Sequence, residues 1–443
     1  MVGSSAEALV VTTRPLAAPV DLLSWLPAPR NTLSWVREGD GLVGWGAAAT
    51  FSARGPSRFA RALRWWQDLT GRACIGDEVG APGTGPVAFA SMAFADEPTQ
   101  SVLILPRVVV GRREGLSWIT TVGGTTAPGL QPVTVPRGVR YWHGWIDDAA
   151  HRRSVATAIA RIRAGELAKV VLARDLLATV DTPLDERYLL TRLAGQYPAS
   201  WVYAIAGLIG ATPELLIRRE RNTVAARLLA GTVWPRPGSG SAASLERELL
   251  ASGRLRAEHR YGVQSLAETL APFCSRLHVP DEPTVLHLHN ISHLATDVYG
   301  TLAADTPLLD LVARVHPTAA AAGSPRQTAM LVIGQLEAMD RGGYLGPVGW
   351  LDAQGNGEFG VALRCAQLQA RTARLFAGGG IVADSDPDTE AAEAAAKFRV
   401  FQSALSSLLG GRPGPRSDPV CCARYAISQS AESASISSWL RRP

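Results

Sequence analysis

Three charged residues, Glu390, Glu393 and Lys397, have a spacing that could build a cation site. They are three and four residues apart, so on a helix they share one face. The rest of this segment is largely alanine. Carboxylate oxygens suit Mg²⁺, which typically takes one or two protein carboxylates and completes its coordination with water and substrate. A solvated charged stripe is the alternative interpretation.

Three consecutive glycines, Gly378, Gly379 and Gly380, precede this segment. Glycine has no side chain, so a turn here would let backbone N–H groups approach a ligand closely. Either Ser385 or Asp386, followed by Pro387, is typical of a helix start. We therefore expect a glycine turn followed by a helix that carries the acidic face.

Four further charged residues lie in apolar or helical surroundings. Lys169 opens a β-branched strand, where burial would make it a base, although an exposed strand start is the ordinary interpretation. Glu214 precedes an apolar strand, where a raised pKa would make it a general acid. Arg364 lies on an otherwise apolar strand and implies an anionic partner. Glu258, midway along a helix, is a weaker carboxylate candidate, since an exposed glutamate is usually just solvated.

The elements that must position these residues alternate between strands and long helices. Val155, Ile159 and Ile162 recur at helical spacing up to Gly165, which predicts a helix before the strand that Lys169 opens. Further strands are expected at Leu42–Trp45, Val87–Phe94, Val102–Leu105, Leu116–Thr121, Trp201–Ile209, Glu214–Arg218, Gly346–Leu351, Phe359–Leu368 and Ala373–Phe376. Further helices are expected at Arg58–Leu69, Leu245–Leu270, Pro307–Arg314, Pro325–Met339 and Thr389–Leu409. This pattern predicts an α+β fold of mixed α/β layers.

Residues 1–409 contain no flexible Ser/Gly linker, so we expect one large domain or two tightly fused halves. Residues 1–145 would be the N-terminal half, with little readable chemistry. Residues 146–409 contain all the candidate residues named above. Residues 410–443 are rich in Gly, Pro, Ser and Arg and have few apolar residues in register, which is typical of a disordered tail.

The composition is that of an ordinary globular protein, with 47% hydrophobic residues in a chain of 443. The net charge of +5 is weighted towards the tail and does not indicate a nucleic-acid-binding surface. Five scattered cysteines lack metal-ligand spacing, so neither a zinc site nor a disulfide framework is indicated. The sequence shows neither a secretion signal nor a membrane span, and we expect a cytoplasmic monomer that does not bind membranes.

Taken together and in order, these segments resemble the chorismate-utilising enzymes, most closely the isochorismate synthases of menaquinone and siderophore pathways. The matching stretches cover most of residues 146–409. They are KVVLAR (169–174), ATPELLIR (211–218), LLAGT (228–232), AEH (257–259), HLAT (293–296), HPTAAAAGSPR (316–326), GPVGWLDAQGNGEFGVALRCA (346–366) and the glycine segment with its helix. As a set they are highly specific, although no single stretch would be.

The resemblance implies a fold of two large, mainly antiparallel sheets stacked with helices outside, and an active site between them that holds chorismate and Mg²⁺. It implies that Lys169 is the base that activates a water and that Glu214 is the acid that protonates the departing hydroxyl. Glu258 and Glu393 would be the metal ligands, with Glu390 as a direct or water-bridged helper. The residues implied to bind substrate are Arg364 and Lys397, which would hold carboxylates, and Gly231, Thr232, His293, Gly378, Gly379 and Gly380, which would line the pocket.

The implied reaction converts chorismate to isochorismate. Water adds at C2, the double bonds shift and the C4 hydroxyl leaves, and the product would feed menaquinone or siderophore and salicylate biosynthesis. Two alternatives stay open. A salicylate synthase would use the same residues and also eliminate pyruvate, and a catalytically silent chorismate-binding protein would keep the motifs for its fold alone. Relatives that add ammonia differ at the position of Lys169 or carry a threonine within Ala319–Ala322, so the residues present here favour water.

Two features depart from the family pattern. The segment Ala319–Ala322 replaces the more common Pro-Ala-Val or Pro-Ala-Leu, which bears on the shape of the pocket. Leu255 stands where an acidic residue is common, three positions before Glu258. An acid there could orient a metal-bound water, which leucine cannot do. The other possibility is that Leu255 faces the core.

Overall fold

A computed structural model describes residues 9–124, 129–233, 242–288 and 291–406. Its helices are α1 (Arg58–Thr70), α2 (Asp148–Arg163), α3 (Glu186–Gln196), α4 (Ala242–Ala251), α5 (Gly253–Leu270), α6 (Leu308–Val315), α7 (Arg326–Leu336) and α8 (Pro387–Leu405). Short 3₁₀ helices lie at Leu22–Trp25 and Ala271–Phe273. Among the described residues, none of these helices combines the length and apolar character needed to cross a bilayer.

The strands are β1 (Val10–Pro15), β2 (Leu33–Arg37), β3 (Asp40–Trp45), β4 (Ala49–Ala53), β5 (Cys74–Asp77), β6 (Val87–Ser91), β7 (Ser101–Leu105), β8 (Val108–Arg113), β9 (Leu116–Val122), β10 (Arg140–His143), β11 (Lys169–Thr179), β12 (Trp201–Ile205), β13 (Leu208–Thr212), β14 (Leu215–Glu220), β15 (Thr223–Val233), β16 (Cys274–His278), β17 (Thr284–Leu288), β18 (Ile291–Leu302), β19 (Gly323–Ser324), β20 (Pro347–Asp352), β21 (Gly357–Val361), β22 (Cys365–Gln369) and β23 (Thr372–Ile381).

These strands form two large sheets. Sheet 1 has the order β10-β11-β23-β22-β13-β12-β2-β3-β8-β9-β1-β5, and β19 also pairs with β11. Sheet 2 has the order β16-β18-β15-β14-β21-β20-β6-β7-β4, and β17 also pairs with β18. Within the part of the chain that is described, the pairings are antiparallel except that of β1 with β5. The expected α+β architecture of two mainly antiparallel sheets with helices is confirmed.

Strand β12 shows why these strands read as unbroken apolar runs. Its Trp201 and Tyr203 belong to the main core, which also includes apolar side chains of sheet 2 and of α1, α5 and α6. Val202 and Ala204 belong to a second cluster, which is built with residues of α3 and α8 on the opposite face of sheet 1. Because successive side chains of a strand point to opposite faces, a strand covered on both sides is apolar throughout.

The chain passes between the two sheets at two points that matter for the site. Between β13 and β14 it leaves sheet 1 for sheet 2 at Pro213–Glu214, and between β21 and β22 it returns to sheet 1 at Ala362–Arg364. The prediction of one strand over Phe359–Leu368 was therefore wrong. Arg364 has a left-handed φ of +47°, which breaks the strand, and a continuous apolar run cannot reveal that its two halves belong to different sheets.

Three other predicted elements are corrected by the structure. The strand Trp201–Ile209 is a hairpin, because Ala206 and Gly207 have positive φ angles of 52° and 77°. The helix Leu245–Leu270 is two helices, with the Ser252 side chain capping the start of α5. Glycines 378–380 do not form a turn. They are extended within β23 and pair with residues 171–173 of β11.

Two helix ends are marked by residues that the sequence singled out. Helix α8 begins after Asp386, whose carboxylate accepts a hydrogen bond from the backbone N–H of Thr389. Helix α2 ends just before Gly165, which has a φ of +81°. Capping groups act over a few residues of sequence, so the local pattern is sufficient to locate them.

Both sheets contain strands from either side of residue 145. Strand β2 pairs with β12 in sheet 1, and β6 pairs with β20 in sheet 2. Residues 10–122 thus supply strands to each sheet, and residues 146–405 supply the remainder, apart from β10. The tail that we predicted at residues 410–443 lies outside the described residues.

Candidate active site

A cavity of about 160 Å³ lies where the two sheets face each other. Eleven of the residues singled out from the sequence line it: Lys169, Glu214, Gly231, Thr232, Glu258, His293, Arg364, Gly378, Gly379, Gly380 and Lys397. Glu390 and Glu393 are not among the lining residues, and their positions on α8 are given below. Residues from both sheets and from α5 and α8 therefore share one site, although they are far apart in the sequence.

The two passages between the sheets deliver an acid and a cation to this cavity. Glu214 lies at one of them, with only 5% of its surface exposed. Burial raises the pKa of Glu214 to about 8, even though the positive charges of Lys169 and Arg364 act to lower it. Its carboxyl is therefore mainly protonated at neutral pH, as a general acid must be. Arg364 lies at the other passage, and although burial lowers its pKa to about 10, it stays charged.

Lys169 reaches the cavity from the first position of β11. Its Nζ lies 2.7 Å from Oε1 of Glu258 on α5, so the two form an ion pair. The side chain crosses the face of Gly380, where a Cβ would lie 2.5 Å from Cε of Lys169. Glycine at position 380 is required for the path of the lysine rather than for a turn.

The neighbouring glycines leave room for the charged face of α8. A Cβ on Gly379 would lie 2.9 Å from Oε2 of Glu390, and the carbonyl of Gly378 accepts a hydrogen bond of 2.6 Å from Nζ of Lys397. The extended glycine segment thus allows acidic and basic side chains of α8 to lie directly against the strand. This role differs from the N–H donation that we expected of a glycine turn.

A β-bulge turns Thr232 towards the cavity. The register between β15 and β18 shifts between Ala230 and Thr232, and the extra residue, Gly231, has a φ of +73°. Only glycine adopts this conformation without strain, and one extra residue re-aims the side chain that follows it. Thr232 then faces His293 across the strands. Its Oγ1 lies 3.0 Å from Nδ1 of His293, whose Nε2 lies 3.0 Å from Nη2 of Arg364.

The acidic face of α8 lies beside the cavity. Ser385 donates a 2.8 Å hydrogen bond to Oε1 of Glu390, and Nζ of Lys397 lies 3.9 Å from Oε2 of Glu393. Burial is the main reason that the pKa of Glu390 is raised, and the negative charges of Glu393 and Glu258 raise it further. Glu390 is thus close enough to Glu393 and to Glu258 for their negative charges to repel its own.

This repulsion bears on whether a metal fits here. Among the described residues, no group of three or more His, Cys, Asp or Glu side chains is arranged to hold a metal ion. Mg²⁺ does not require such a group, since one or two carboxylates and water are enough. Carboxylates that repel one another are the kind of donor that a divalent cation stabilises. The oxygen donors of Glu258, Glu390 and Glu393 are therefore chemically suited to a divalent cation such as Mg²⁺.

Sequence reasoning missed the aromatic wall of the cavity. The rings of Tyr344 and Phe376 are stacked, with centroids 5.3 Å apart, and both residues line the site. It also missed a buried ion pair behind the site, in which Arg341 contacts Glu337 and donates hydrogen bonds to the carbonyls of Val171 and Ala321. Aromatic residues in apolar segments, such as Tyr344 and Phe376, cannot be distinguished from core residues by sequence. Glu337 and Arg341 are four residues apart on the chain, which is also the spacing of ordinary ion pairs on a helix surface.

Leu255 faces the core rather than the carboxylates. It is 8% exposed and packs in a small apolar cluster with Leu249 and Leu294. A Cβ added to Gly231 would lie 3.2 Å from the Cβ of Leu255. Of the two possibilities considered for Leu255, beside the metal or in the core, the structure shows the second. Leucine here supports the bulge that aims Thr232.

Two large sheets with a buried acid and basic side chains at the cavity between them, and with carboxylates beside it, define an α+β protein that can act on a small anionic molecule. The chain matches the family described as chorismate binding enzyme over residues 4–127 and 140–406. It belongs to this family, which confirms the resemblance drawn from the motifs.

Individual relatives support the same assignment. The chain is 37% identical to the isochorismate synthase MenF of Bacillus subtilis over 257 residues, which are 57% of this chain and 55% of that protein, so the match spans little more than half of the relative. It is 30% identical over 417 residues to the salicylate biosynthesis isochorismate synthase of Pseudomonas aeruginosa, with 87% of each chain covered. The solved structure of MenF, the menaquinone-specific isochorismate synthase of Escherichia coli, is similar with a TM-score of 0.75 and 26% identity, covering 91% of this chain and 97% of that one.

Proposed function

We propose that this protein is a Mg²⁺-dependent isochorismate synthase, an isomerase that converts chorismate to isochorismate. One observation carries the proposal: a lysine amine, Lys169, and a buried carboxyl that holds its proton at neutral pH, Glu214, line the same cavity. Addition of water at one carbon and loss of hydroxide at another require a base and an acid of this kind. Relatives named as isochorismate synthases support the same activity.

The charge of the cavity suits a substrate with two carboxylates. Arg364 and Lys397 bring two basic side chains to its wall, in addition to the amine of Lys169. Nη1 of Arg364 is buried and has no hydrogen-bond partner among the described residues, so it is available to an anion. We assign Arg364 and Lys397 to the carboxylates of chorismate, because Lys169 is needed for the chemistry.

The proton transfers follow from these positions. Lys169 accepts a proton from the water that adds at C2, and the double bonds shift. Glu214 gives its proton to the C4 hydroxyl, which leaves as water, so no atoms are gained or lost overall. Each proton transfer contributes roughly 10²- to 10⁴-fold to the rate.

The metal would be held by the carboxylates of Glu258 and Glu393, with Glu390 binding it directly or through a water. When bound, Mg²⁺ would supply positive charge that neutralises the ring carboxylate of chorismate. Glu258 is paired with Lys169, so a bound cation would compete with the lysine for this carboxylate. We further propose that the enzyme acts as a cytoplasmic monomer and that isochorismate feeds menaquinone or siderophore and salicylate synthesis.

Incubation with chorismate and Mg²⁺, followed by NMR of the products, tests the proposal. We expect isochorismate to form, and EDTA to stop its formation. Salicylate with pyruvate would identify a salicylate synthase instead. Chorismate that binds but is returned unchanged would identify a catalytically silent binding protein.

The variant Lys169→Ala is the matched control for this assay. We expect it to stay folded, because the lysine lies at the wall of a cavity and not in the apolar core, and to lose nearly all turnover. Activity within a few-fold of the parent would refute the role of Lys169 as the base.

A further inference from the structure

Three side chains at the wall of the cavity form a continuous hydrogen-bonded series. Thr232 on β15 and His293 on β18 are directly opposite each other in the strand register. Thr232 Oγ1 lies 3.0 Å from His293 Nδ1, and His293 Nε2 lies 3.0 Å from Arg364 Nη2. The imidazole therefore bridges sheet 2 to the passage that returns the chain to sheet 1.

The chemistry of the guanidinium determines the state of this imidazole. Arginine can only donate hydrogen bonds, so Nε2 of His293 must accept with its lone pair. The ring is then neutral and carries its single proton on Nδ1, which donates to Oγ1 of Thr232. Burial, together with the positive charges of Arg364 and Lys397, lowers the pKa of His293 well below its usual value, which is consistent with a neutral ring.

The bridge leaves two donors free. The oxygen of Thr232 accepts from His293, and among the described residues its hydroxyl has no second hydrogen-bond partner, so its proton can be donated elsewhere. Nη1 of Arg364 is buried and likewise lacks a partner within the described parts of the chain. Both residues line the cavity. The imidazole lies between these two donors, so they offer hydrogen bonds to an anionic ligand at separate points of the cavity wall.

The length of the Arg364 side chain shows what such a bridge contributes. A long side chain loses much of its rotamer freedom when a ligand holds it in one conformation. The hydrogen bond from Nη2 to His293 restricts the guanidinium before the ligand arrives.

We propose that His293 is a positioning residue that stays neutral, with its proton on Nδ1, and orients the Thr232 hydroxyl and the Arg364 guanidinium towards the ligand in the cavity. It takes no part in proton transfer to or from the substrate. The identity of that ligand as chorismate rests on the function proposed above, whereas the state of the imidazole does not.

Nitrogen-15 NMR of histidine-labelled, ligand-free protein tests the state of the ring without any turnover. A difference spectrum between the parent and His293→Gln assigns the resonances of His293 among the 8 histidines of the chain. We expect a neutral ring with the proton on Nδ1 across the range from about pH 6 to 9, well above the lowered pKa. A proton on Nε2, or protonation with an ordinary midpoint near about 6.5, would overturn the proposal.

Kinetics of His293→Gln and His293→Ala test the positioning role. The glutamine carbonyl can still accept from Arg364, so we expect KM for chorismate to rise about tenfold or more for alanine and less for glutamine, while kcat changes only a few-fold for both. If kcat instead fell by about a hundredfold or more at unchanged KM, His293 would be a residue that transfers protons. His287→Gln is the matched control, since His287 lies on the adjacent strand β17 and is exposed.

The two proposals fail in distinguishable ways. If the parent forms no isochorismate, the proposed function fails, and the NMR result still decides the state of His293. In that case, isothermal titration calorimetry with chorismate replaces the kinetics. We expect the parent to bind chorismate most tightly, His293→Gln less tightly and His293→Ala least tightly. Equal dissociation constants for all three would overturn the positioning role.

Discussion

Glu214 shows how one residue acquires its function from its place in the fold. The sequence offers only a carboxylate after a proline, whereas the structure buries it at a point where the chain changes sheets. Removal from water disfavours the ionised form, and the cations Lys169 and Arg364 only partly oppose this effect. The result is an acid that still holds its proton at neutral pH.

We predict that activity falls as the pH rises above about 8, because Glu214 then loses the proton that it must donate. The variant Glu214→Gln keeps the shape of the side chain and should lower kcat by about 10²- to 10⁴-fold at every pH. A pH profile of kcat/KM for both proteins measures this. A change confined to the Mg²⁺ requirement would mean that Glu214 is a metal ligand instead.

The raised pKa of Glu214 should also make the free energy of unfolding depend on pH. Its pKa rises from an ordinary value of 4.5 to about 8 on folding, so between these values the folded protein binds more protons than the unfolded chain. The free energy of unfolding contributed by Glu214 therefore falls as pH rises through this window and stays low above it. We expect Glu214→Gln to gain stability relative to the parent from pH 4.5 to 8, measured by urea unfolding. A constant difference would argue against the raised pKa.

At the scale of elements, the pairing of β11 with β23 explains the glycine segment. Val171 lies opposite Gly380, and Lys169 lies two residues before Val171, so the lysine side chain runs over the glycine. In this strand Gly380 leaves room for the Lys169 side chain, which is not the role expected of a glycine in a turn. Its lack of a side chain is needed by its neighbour and not by its own backbone.

We predict that Gly380→Ala lowers kcat about tenfold or more with little loss of stability. The new Cβ would lie 2.5 Å from Cε of Lys169, and the flexible lysine would move away from its present position. Gly334→Ala is the matched control, because Gly334 is exposed on α7 with nothing within 4 Å of a Cβ. It should keep full activity and gain about 0.4–1 kcal/mol in stability. Equal kcat in the two variants would show that Lys169 is not displaced.

Helix α5 presents Leu255 to the apolar cluster behind the bulge. We predict that Leu255→Asp lowers the free energy of unfolding by about 1–3 kcal/mol, because a carboxylate would be buried without a partner. The Mg²⁺ concentration for half-maximal activity should stay unchanged in the variant. Leu255→Met, which conserves volume, should cost less than about 1.5 kcal/mol. A lower Mg²⁺ requirement with unchanged stability would restore the role beside the metal.

At the scale of the whole molecule, the two sheets depend on both parts of the chain. Without residues 1–145, β12 would lose its partner β2 and β20 would lose its partner β6. Two sheet edges and the main core would then be exposed to water. We predict that residues 146–409 expressed alone aggregate or stay unfolded, as judged by circular dichroism and gel filtration. A soluble, cooperatively unfolding fragment would show that the halves are independent domains.

A variant that lacks residues 410–443 is the control for that fragment, and its behaviour is a separate prediction. Residues 410–443 have a polar, Pro- and Ser-rich composition without periodic apolar residues. We expect removal of this segment to leave both the thermal midpoint and the activity unchanged. A midpoint lower by many degrees would show that these residues pack on the rest of the protein.

The sequence alone was sufficient for the family, the architecture and eleven of the residues that line the cavity, but not for Tyr344 and Phe376. The motifs that contain Lys169, Glu214 and Arg364 are short, and each matches a pattern that does not depend on distant contacts. Helix caps such as Asp386 were equally accessible, because the hydrogen bonds of a cap join residues a few positions apart.

Only the tertiary structure decided where the chain changes sheets and what that does to the site. Apolar periodicity is the same on either side of Arg364, so it cannot show that β21 and β22 belong to different sheets. The pKa of Glu214, the ion pair of Lys169 with Glu258 and the bridge through His293 all depend on groups that lie far apart in the chain. Burial and charge act through space, and their effects exist only once the two sheets have closed over the cavity.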